Sequence, residues 1–278
     1  MTTTLRPTGP IQQGTDGAKN RGYDVCDNGR PVGSVEISTD AAFGESTGVL
    51  HSLAIDEASR RRGRGTIAAL AAEEVLRGWG CGRVRLSVPE GDEGAARLAA
   101  SLGYTERSRN MTKDLGPAAP ALPDGVAARP MTAAEFEIWR RTSVDVYAQS
   151  WIDRGVPAEE AMRKSLADHA RNLPDGLDTE GTRIHVLTDG GTATGHVWVA
   201  LDQEEDGETA GYVFDVEVAR EHRGRGHGRA LMLQAERITL AAGARRLGLH
   251  VFADNTPALR LYESLGYRTT QYNLVKDL

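Results

Sequence analysis

The chain has 278 residues, 40% of them hydrophobic and 26% charged, which is typical of globular proteins and long enough for two ordinary domains. Its formal net charge of -6 argues against nucleic-acid binding through the overall field. No apolar run approaches the roughly 18 residues of a spanning helix, and the N-terminus lacks a signal-peptide core, so we expect a cytoplasmic protein. Cys26 and Cys81 lack metal-ligand spacing, and we expect free thiols and no metal.

The first part of the chain combines strand and helix patterns after a polar stretch. Residues 1–20 show no periodicity and are predicted to be a disordered tail. Residues 21–115 contain a hairpin signature, alternating apolar residues and Ala-rich runs that end in glycine, as expected for a domain. The predicted elements are strands at 22–25, 31–37 and 49–55, a helix at 66–77, a strand at 84–88 and a short helix at 94–101.

A proline-rich stretch divides the chain. Residues 116–125 combine three prolines with small residues, which predicts a linker between two domains. In the second domain, residues 126–278, Thr132 and Glu135 form a capping box that marks a helix start. The predicted elements there are a strand at 126–129, helices at 132–153 and 157–173, strands at 182–188, 195–202 and 209–219, a helix at 229–242, a strand at 247–253, a helix at 256–265 and a strand at 271–275.

The turn after the strand at 209–219 reads Arg223-Gly224-Arg225-Gly226-His227-Gly228 and opens a helix. Free N–H groups at a helix N-terminus attract anions, above all phosphate. An ordinary turn with solvated arginines, or an RGG-like nucleic-acid contact, would have the same composition. The turn has neither the Gly-Lys-Ser/Thr of a Walker loop nor the spacing of a dinucleotide fingerprint, so by itself it predicts an anion site only.

Comparison of the chain with itself reveals a tandem repeat. With an offset of 163 residues and no gap, residues 55–115 align with residues 218–278, and a large share of the aligned pairs are identical. The sequence therefore predicts two copies of one α/β domain. Identical pairs include Arg60 and Arg223, Gly63 and Gly226, Gly65 and Gly228, Glu73 and Glu236, Tyr104 and Tyr267, and Lys113 and Lys276.

The order of motifs in the second copy resembles the GCN5-related N-acetyltransferase (GNAT) family, and the duplication resembles its tandem members. The shared features are a strand, the turn Arg-x-x-Gly-x-Gly, a helix, a strand, Asn, a short helix with Tyr, and Leu-Gly-Tyr. The resemblance covers residues 126–278 and, in the first copy, about residues 22–115. It implies an α/β (α+β) fold of two tandem GNAT domains, each with an antiparallel-then-parallel mixed sheet flanked by helices, the N-terminal copy being truncated.

The resemblance also implies acetyl-CoA, or another acyl-CoA, as co-substrate. Its pantetheine would enter where the fourth and fifth strands splay apart. The turn would bind the pyrophosphate through main-chain N–H groups, and Asn255 would bond the pantetheine or the strand–helix junction. The cofactor-binding residues implied in this way are Val216, Val218, Arg223, Gly224, Arg225, Gly226, His227, Gly228, Arg229, Asn255 and Ala258.

Three side chains are candidates for the chemistry of acetyl transfer to an amine. The amine must lose a proton before or during attack, and Asp215 and Glu217 share one face of a strand, opposite Phe214. Glu217 is the first candidate for a base acting through water and Asp215 the second; solvated surface carboxylates would look the same. By resemblance, Tyr262 protonates the leaving thiolate, although a tyrosine on this helical stripe could simply pack in the core. A backbone N–H around Val218 would stabilise the oxyanion.

The first copy departs from the family's pattern where the chemistry would occur. It also lacks the two helices that wall the acceptor site, although its basic turn at 60–65 survives. We therefore predict a catalytically silent domain, for which CoA binding and scaffolding both stay open. The residues that replace Asn255, Tyr262 and Glu217 are Asp92, Ala99 and Ala54.

The acceptor, a small-molecule amine, is expected to contact helices 133–153 and 157–173 and the loop 173–178. Their aromatic residues, Trp139, Tyr147 and Trp151, either line a pocket or pack in the core, and core is the better prediction for each singly. His169 and His196 are assigned a structural role rather than a catalytic one.

Two other functions stay open at this stage. The same fold could transfer an aminoacyl group from aminoacyl-tRNA, with the arginines at 60–64 holding RNA phosphates, although the acidic balance argues against it. A non-catalytic CoA-binding sensor or interaction protein is the other alternative, which the intact second copy disfavours. No membrane partner is expected, and homodimerisation is left open.

Overall fold

The computed structural model describes residues 2–14, 17–40, 42–205 and 208–278. The chain forms two compact units. Unit 1 comprises Met1–Ser108 together with Gln271–Leu278, and unit 2 comprises Arg109–Thr270. Within the described ranges, no helix is long and apolar enough to cross a bilayer.

Unit 1 is an antiparallel sheet that continues into one parallel pair. Its strands lie in the order β1-β3-β4-β5-β6-β13, with β2 beside β3. The pairs from β1 to β5 are antiparallel, β5 and β6 are parallel, and β13 returns antiparallel to β6. The elements are β1 (Thr3–Pro7), β2 (Gln12–Gln13), β3 (Lys19–Asp27), β4 (Arg30–Asp40), β5 (Gly44–Ile55), α1 (Arg64–Gly78), β6 (Arg83–Pro89) and α2 (Glu93–Ser101), with β13 (Arg268–Asp277) entering from the end of the chain.

Unit 2 repeats this arrangement and adds two helices. Its strand order is β7-β12-β11-β10-β9-β8, antiparallel from β8 to β11 and parallel between β11 and β12. Each of the two units thus has the predicted mixed sheet. The elements are β7 (Thr105–Asp114), β8 (Val126–Pro130), α3 (Ala133–Ile152), α4 (Ala158–Asn172), β9 (Thr182–Asp189), β10 (Thr192–Glu205), β11 (Glu208–Val218), α5 (His227–Ala241), β12 (Arg246–Phe252) and α6 (Thr256–Ser264).

In the described residues 2–14 and 17–20, the polar N-terminal stretch is ordered, contrary to the predicted tail at 1–20; residues 1, 15 and 16 of that prediction lie outside the described residues. Strand β1 runs antiparallel to β3, with Thr3 opposite Asp27 and Pro7 opposite Tyr23. Leu5 packs against the core of unit 1, and Arg6 pairs with Asp24 at 2.7 Å. Pairing with the edge of β3 orders this stretch, and its own residues have little propensity for a strand. Its sequence therefore shows no helical or alternating pattern.

The last strand of each copy lies in the unit formed mainly by the other copy. Lys276, in β13, bonds Glu73 of unit 1 at 2.6 Å, and Leu278 N–H bonds Gly82 O at 2.9 Å. In unit 2, Lys113 of β7 bonds Glu236 at 2.6 Å, and the Leu115 N–H bonds the Arg245 O at 2.7 Å. The compact units therefore do not contain the same residues as the predicted domains at 21–115 and 126–278. Those domain bounds describe the sequence repeat and stay a prediction.

Helices α5 and α6 bury one face of the unit 2 sheet. The apolar stripe of α5 includes Leu231, Met232 and Ala235, all fully buried against Val197 and Leu247. The opposite face is covered by α3, whose Trp139 packs in a separate aromatic cluster. The capping box predicted for α3 is present: Thr132 accepts a bond from Glu135 N–H, and Glu135 accepts one from Thr132 N–H.

The pairing of β11 with β12 stops halfway along both strands. Paired residues run only from Gly211 and Leu247 to Val213 and Leu249, although the strands continue beyond them. Unit 1 shows the same geometry, since the β5–β6 pairs end at Leu50 and Leu86. Each unit therefore has the splay that the resemblance implied.

Candidate active site

The basic glycine turn of unit 2 connects β11 to α5 and leaves the first turn of the helix open. Its first helical hydrogen bond runs from Ala230 N–H to Gly226 O at 3.1 Å. The N–H groups before Ala230 belong to a helix N-terminus, where no intrahelical partner is available. The partial positive charge of that terminus adds to the exposed guanidinium of Arg225. The turn is thus suited to an anion.

Two glycines in this turn are required for different reasons. Gly226 caps α5 in the left-handed region at φ 84°, and a Cβ there would meet no atom within 4 Å. Its need for glycine is therefore conformational. Gly228 is favoured by packing, because a Cβ would lie 3.3 Å from Leu261 Cδ2, and the leucine side chain would have to shift slightly to accept it. The absence of a side chain at Gly228 thus eases the close approach of the turn to α6.

Two predicted cofactor residues use their side chains to hold the turn in shape. Arg223 Nε donates to Val218 O at 3.0 Å, which ties the turn to the end of β11. His227 is 3% exposed and its ring contacts His222 O and Asp189 Oδ2, each at 3.0 Å. Both side chains hold the turn in shape. The buried His227 can take part in anion binding only through its backbone, whereas the Arg223 side chain stays 61% exposed. Arg229 bonds Ser264 Oγ at 2.6 Å, which links α5 to α6.

A β-bulge reshapes β11 at the point where it leaves β12. Trp198 of β10 lies opposite Asp215, but the next residue, Val199, lies opposite Val213, so Phe214 has no partner. The Phe214 ring stacks on Trp198 at 4.8 Å, and Phe214 thus lies on the side of Trp198 and Asp215. The prediction that Phe214 faces away from Asp215 is therefore wrong. A bulge places two consecutive side chains on one side, which strict alternation cannot foresee.

Asp215 does not stand alone on the strand. Its Oδ2 lies 2.8 Å from Nε2 of His196, and the Trp139 indole N–H approaches the same nitrogen at 3.1 Å. The His196 side chain is 15% exposed and that of Asp215 38%. Glu217, the first candidate for a base, is 49% exposed and its nearest cation is Arg223 at 3.9 Å. Of the two carboxylates, only Asp215 lies within hydrogen-bond distance of another titratable side chain among the described residues.

Tyr262 lies inside the core of unit 2, 6% exposed. Burial, followed by the charge of Asp215, raises the pKa of its hydroxyl to about 12. The hydroxyl is therefore protonated at neutral pH and available as a proton donor. Its ring lies 6.0 Å from that of Tyr267, which confirms that it also packs in the core.

Asn255 is the N-cap of α6. Its side chain accepts a bond from Ala258 N–H at 3.3 Å, just as Asp92 caps α2 in unit 1 through Ala95 N–H at 2.9 Å. The junction role foreseen for Asn255 is thus present, and its amide N–H groups are not used by that bond. Val216, Val218 and Ala258 are half-buried against the core around Tyr262.

The helices expected to contact an acceptor carry a buried aromatic cluster. Trp139 and Trp151 are buried, and Tyr147 O–H donates to Asp168 at 3.3 Å. Lys164 bonds the same carboxylate at 2.7 Å. On the neighbouring β12, burial and then the nearby Lys164 and Arg154 lower the pKa of His250 to about 4. These residues form a largely apolar wall with few charges facing solvent.

Unit 1 repeats the turn and contains a cavity of about 1060 Å³. The cavity is lined by the end of β5, the turn, the end of β6 and the start of α2, including Leu50, Gly63, Leu86 and Asp92. Its volume is at the upper end for ligand pockets, which hold roughly 300 to 1,000 Å³. No described helix of unit 1 corresponds to α3 or α4.

The arginines of the unit 1 turn are less available than the sequence suggested. Arg64 is 6% exposed and pairs with Asp27, in the place where unit 2 pairs His227 with Asp189. Arg60 Nε donates to Ile55 O at 2.7 Å. Arg61 and Arg62 remain exposed, which leaves only part of the cluster for RNA phosphates.

Sequence reasoning left His196 outside the candidate site. The sequence evidence for a catalytic role of His196 was weak, because a histidine within a buried strand is more often a core residue. Its proximity to Asp215 depends on the register between β10 and β11, which no local sequence pattern specifies. Among the described residues, no group of three His, Cys, Asp or Glu side chains could hold a metal ion.

Comparison with known proteins adds an independent observation. The sequence profile described as "Acetyltransferase (GNAT) family" matches residues 6–104 and 143–267. A mycothiol acetyltransferase from Nocardiopsis dassonvillei is 28% identical over 92% of this chain and 81% of its own length. One from Actinosynnema mirum is 34% identical over 81% of this chain and 73% of its own. In fold, the chain is similar to a tandem GNAT protein from the clavulanic acid biosynthesis pathway (TM-score 0.53, 20% identity, 94% of this chain and 83% of that one).

Proposed function

The chain belongs to the acetyltransferase (GNAT) family and transfers an acetyl group from acetyl-CoA to an amine, and from this premise we propose that unit 2 carries the reaction. The observation that supports unit 2 most is the position of Asp215. It lies two residues beyond Val213, where β11 parts from β12, and its charge acts on Tyr262. A carboxylate at the splay thus lies within electrostatic range of the candidate proton donor.

The donor would bind with its pyrophosphate at the turn that opens α5. The free N–H groups of residues 227–229 and the exposed Arg225 supply the positive charge. Arg223 and His227 hold the turn in shape through Val218 O and Asp189. The pantetheine would then follow the gap between β11 and β12, where unpaired backbone groups of both strands are available.

The chemistry requires a proton acceptor for the amine and a proton donor for the sulfur. The neutral amine nitrogen attacks the thioester carbon, and a backbone N–H of β11, around Val218, stabilises the oxyanion. When the C–S bond breaks, the thiolate takes the proton of the Tyr262 hydroxyl. Since the pKa of Tyr262 lies near 12, the hydroxyl stays protonated until that step.

For unit 1 we infer a donor-type cavity without the chemistry. Its turn has the same tie to the preceding strand as that of unit 2, because Arg60 bonds Ile55 O as Arg223 bonds Val218 O. The position of Tyr262 is occupied by Ala99, and Ala54 stands where unit 2 has Glu217. The cavity of about 1060 Å³ supports binding of a CoA-sized molecule.

For the acceptor we propose a small primary amine, and the acceptor of the mycothiol acetyltransferases is one candidate because such relatives cover most of the chain. The rings of Trp151 and Phe252 do not define its surface, since Trp151 is 6% exposed and the Arg154 guanidinium lies 3.7 Å from the Phe252 ring centroid.

Titration calorimetry with acetyl-CoA and CoA, combined with a thiol-release assay over a panel of primary amines, tests the proposal. We expect acetyl-CoA to bind and at least one amine to release CoA above the hydrolysis background. Absence of heat with both CoA forms would contradict the proposal for donor binding. Binding without thiol release from any amine would contradict it for the reaction.

A further inference from the structure

We propose that His196 is the general base of the acetyl transfer and that Asp215 positions it. The proposal rests on the proposed function of unit 2 and assigns the base to a residue other than the two carboxylates of β11. It starts from the contact of His196 Nε2 with Asp215 Oδ2 at 2.8 Å.

The place of His196 in the sheet puts it beside the splay. His196 lies opposite Glu217 in the β10–β11 ladder, and Asp215 lies opposite Trp198 two residues along. Regular pairing therefore makes His196 and Asp215 diagonal neighbours on one face of the sheet. Its neighbour Val197 is fully buried on the α5 side, so His196 faces the side of α3. The contact with Trp139 of α3 agrees with this orientation. The imidazole therefore lies between the sheet and the proposed acceptor helices.

The two partners of Nε2 require opposite protonation states of this nitrogen. The Trp139 indole is a donor only and the Asp215 carboxylate an acceptor only, so a single ring nitrogen cannot serve both. The contact with the carboxylate is shorter, at 2.8 Å against 3.1 Å, and charge-assisted bonds are the stronger kind. The geometry thus favours a proton on Nε2, donated to Asp215.

A proton on Nε2 leaves the other nitrogen, Nδ1, with its lone pair. In the described part of the chain, no residue hydrogen-bonds Nδ1, and 15% of the side chain is exposed. A carboxylate that fixes one tautomer and stabilises the imidazolium is the arrangement by which a histidine becomes a base. Asp215 is then a positioning residue, and Nδ1 is the atom that accepts the proton.

These residues account for each proton that is transferred in the reaction. The ammonium form of the acceptor first releases one proton to solvent. As the N–C bond forms and the carbonyl electron pair moves to oxygen, Nδ1 of His196 takes a proton from the attacking nitrogen. The carbonyl then re-forms, the C–S bond breaks, and the sulfur takes the proton of Tyr262. The imidazolium and the tyrosinate are reset by proton exchange through solvent.

Unit 1 provides an internal comparison. In its ladder, Ser34 lies opposite Ala54 as His196 lies opposite Glu217, and Ser52 lies opposite Glu36 as Asp215 lies opposite Trp198. Both members of the pair are thus replaced by serine in the copy that also lacks the tyrosine. The turn, which serves donor binding, is retained. The histidine–aspartate pair is therefore present in the copy that has the candidate catalytic tyrosine and absent from the copy that shares only the fold and the turn.

Nitrogen-15 NMR of the full-length protein labelled at histidine tests the tautomer without any substrate. The His196 signals are assigned by their loss in His196→Gln. We expect the neutral ring to carry its proton on Nε2, and Asp215→Asn to shift the population towards Nδ1–H. A neutral ring protonated at Nδ1 in the unchanged protein would overturn the proposal.

Kinetics test the role in catalysis. His196→Gln should lower kcat by about 100-fold or more, leave the KM for acetyl-CoA unchanged and remove the acidic limb of the pH profile. Asp215→Asn should give a similar loss, and the double variant should be no worse than either single one, because the two residues act as a unit. His185→Gln is the matched control; this histidine lies in β9 and contacts Gln234 at 3.2 Å.

The outcomes separate this proposal from the function on which it rests. His196→Gln with unchanged kcat and pH profile would overturn the assignment of the base while acetyl transfer stands. An unchanged protein that acetylates no amine of the panel would contradict the proposed function instead, and the tautomer measurement would still decide whether Asp215 positions the ring.

Discussion

Tyr262 shows how one side chain combines a structural and a chemical property. It is 6% exposed, packs near Tyr267 and lies within range of the Asp215 charge. Both burial and that charge disfavour its ionised form, so the hydroxyl is a proton donor throughout the neutral range. A packing residue without this role would be replaceable by phenylalanine at little cost.

We predict that Tyr262→Phe lowers kcat by about 100-fold or more, since the thiolate then leaves without a proton. The affinity for acetyl-CoA should change little because the ring and its packing are retained. Steady-state kinetics together with calorimetry measure both quantities. Unchanged kcat would remove the acid assignment, and a loss of acetyl-CoA binding alone would point to packing.

The paired glycines of the two turns allow the units to be tested separately. We predict that Gly226→Val abolishes donor binding in unit 2 and with it turnover, because valine disfavours the φ of 84° and the turn must reshape. Gly63→Val, at φ 75°, is the matched change in unit 1 and should leave turnover intact. Calorimetric stoichiometry and thiol release are the measurements. Loss of turnover in Gly63→Val alone would contradict the assignment of the chemistry to unit 2.

At the scale of elements, α3 depends on the interactions at its N-terminus. Thr132 and Glu135 exchange bonds across the first turn, and Arg129 of β8 adds two bonds to the same carboxylate. Arg129 and then the Thr132 N–H lower the pKa of Glu135 to about 2. The helix that covers the proposed acceptor side is therefore anchored by a charge-dependent cap.

We predict that Thr132→Ala lowers the free energy of unfolding by about 1 kcal/mol at pH 7, and by less towards pH 2. The folded pKa of Glu135 lies below its unfolded value of about 4.3, so its contribution is complete above that pH and is lost as the pH falls towards 2. Urea unfolding followed by tryptophan fluorescence measures this. Thr142→Ala, within the same helix, is the control and should show no such pH dependence.

At the scale of the whole molecule, each unit includes the last strand of the other sequence copy, β13 in unit 1 and β7 in unit 2. The same ion pair occurs once in each unit, as Lys276–Glu73 and as Lys113–Glu236, each 2.6 Å long. Both glutamate side chains are almost fully buried from solvent. Each lysine also lies 5.6 Å from a tyrosine ring, Tyr104 or Tyr267. Because the glutamates are buried, their charge must be compensated by these lysines.

We predict that Lys276→Met destabilises unit 1 by about 3 to 5 kcal/mol, since it leaves Glu73 buried without a partner. Adding Glu73→Gln should recover much of the loss because no unpaired charge remains. Lys113→Met should act on unit 2 in the same way. The unfolding of unit 1 is followed through Trp79. Equal effects of Lys276→Met and Lys113→Met on the same transition would contradict the division into units.

Deleting residues 271–278 is a stronger form of the same test. The deletion removes the antiparallel partner of β6 and the bond from Leu278 N–H to Gly82 O. We predict that unit 1 loses its cooperative unfolding transition, seen by calorimetry, while the bonds of β7 in unit 2 are retained. A truncated chain with the full unfolding enthalpy would show that β13 is dispensable.

The sequence by itself determined the repeat, the helices, the anion turn and the family. These features rest on local spacing: the capping box of Thr132 and Glu135, the glycines at 226 and 228, and identical residues at a constant offset. The tertiary structure decided the rest. The Lys-Asp-Leu endings of the two copies are identical, so no local signal could assign β7 or β13 to one sheet. The strand at 3–7 exists only through its pairing with β3, and His196 meets Asp215 because the register of β10 on β11 makes them diagonal neighbours. The side on which Phe214 lies is decided by the bulge. Such contacts depend on which surfaces meet in three dimensions, which periodicity along the chain does not encode.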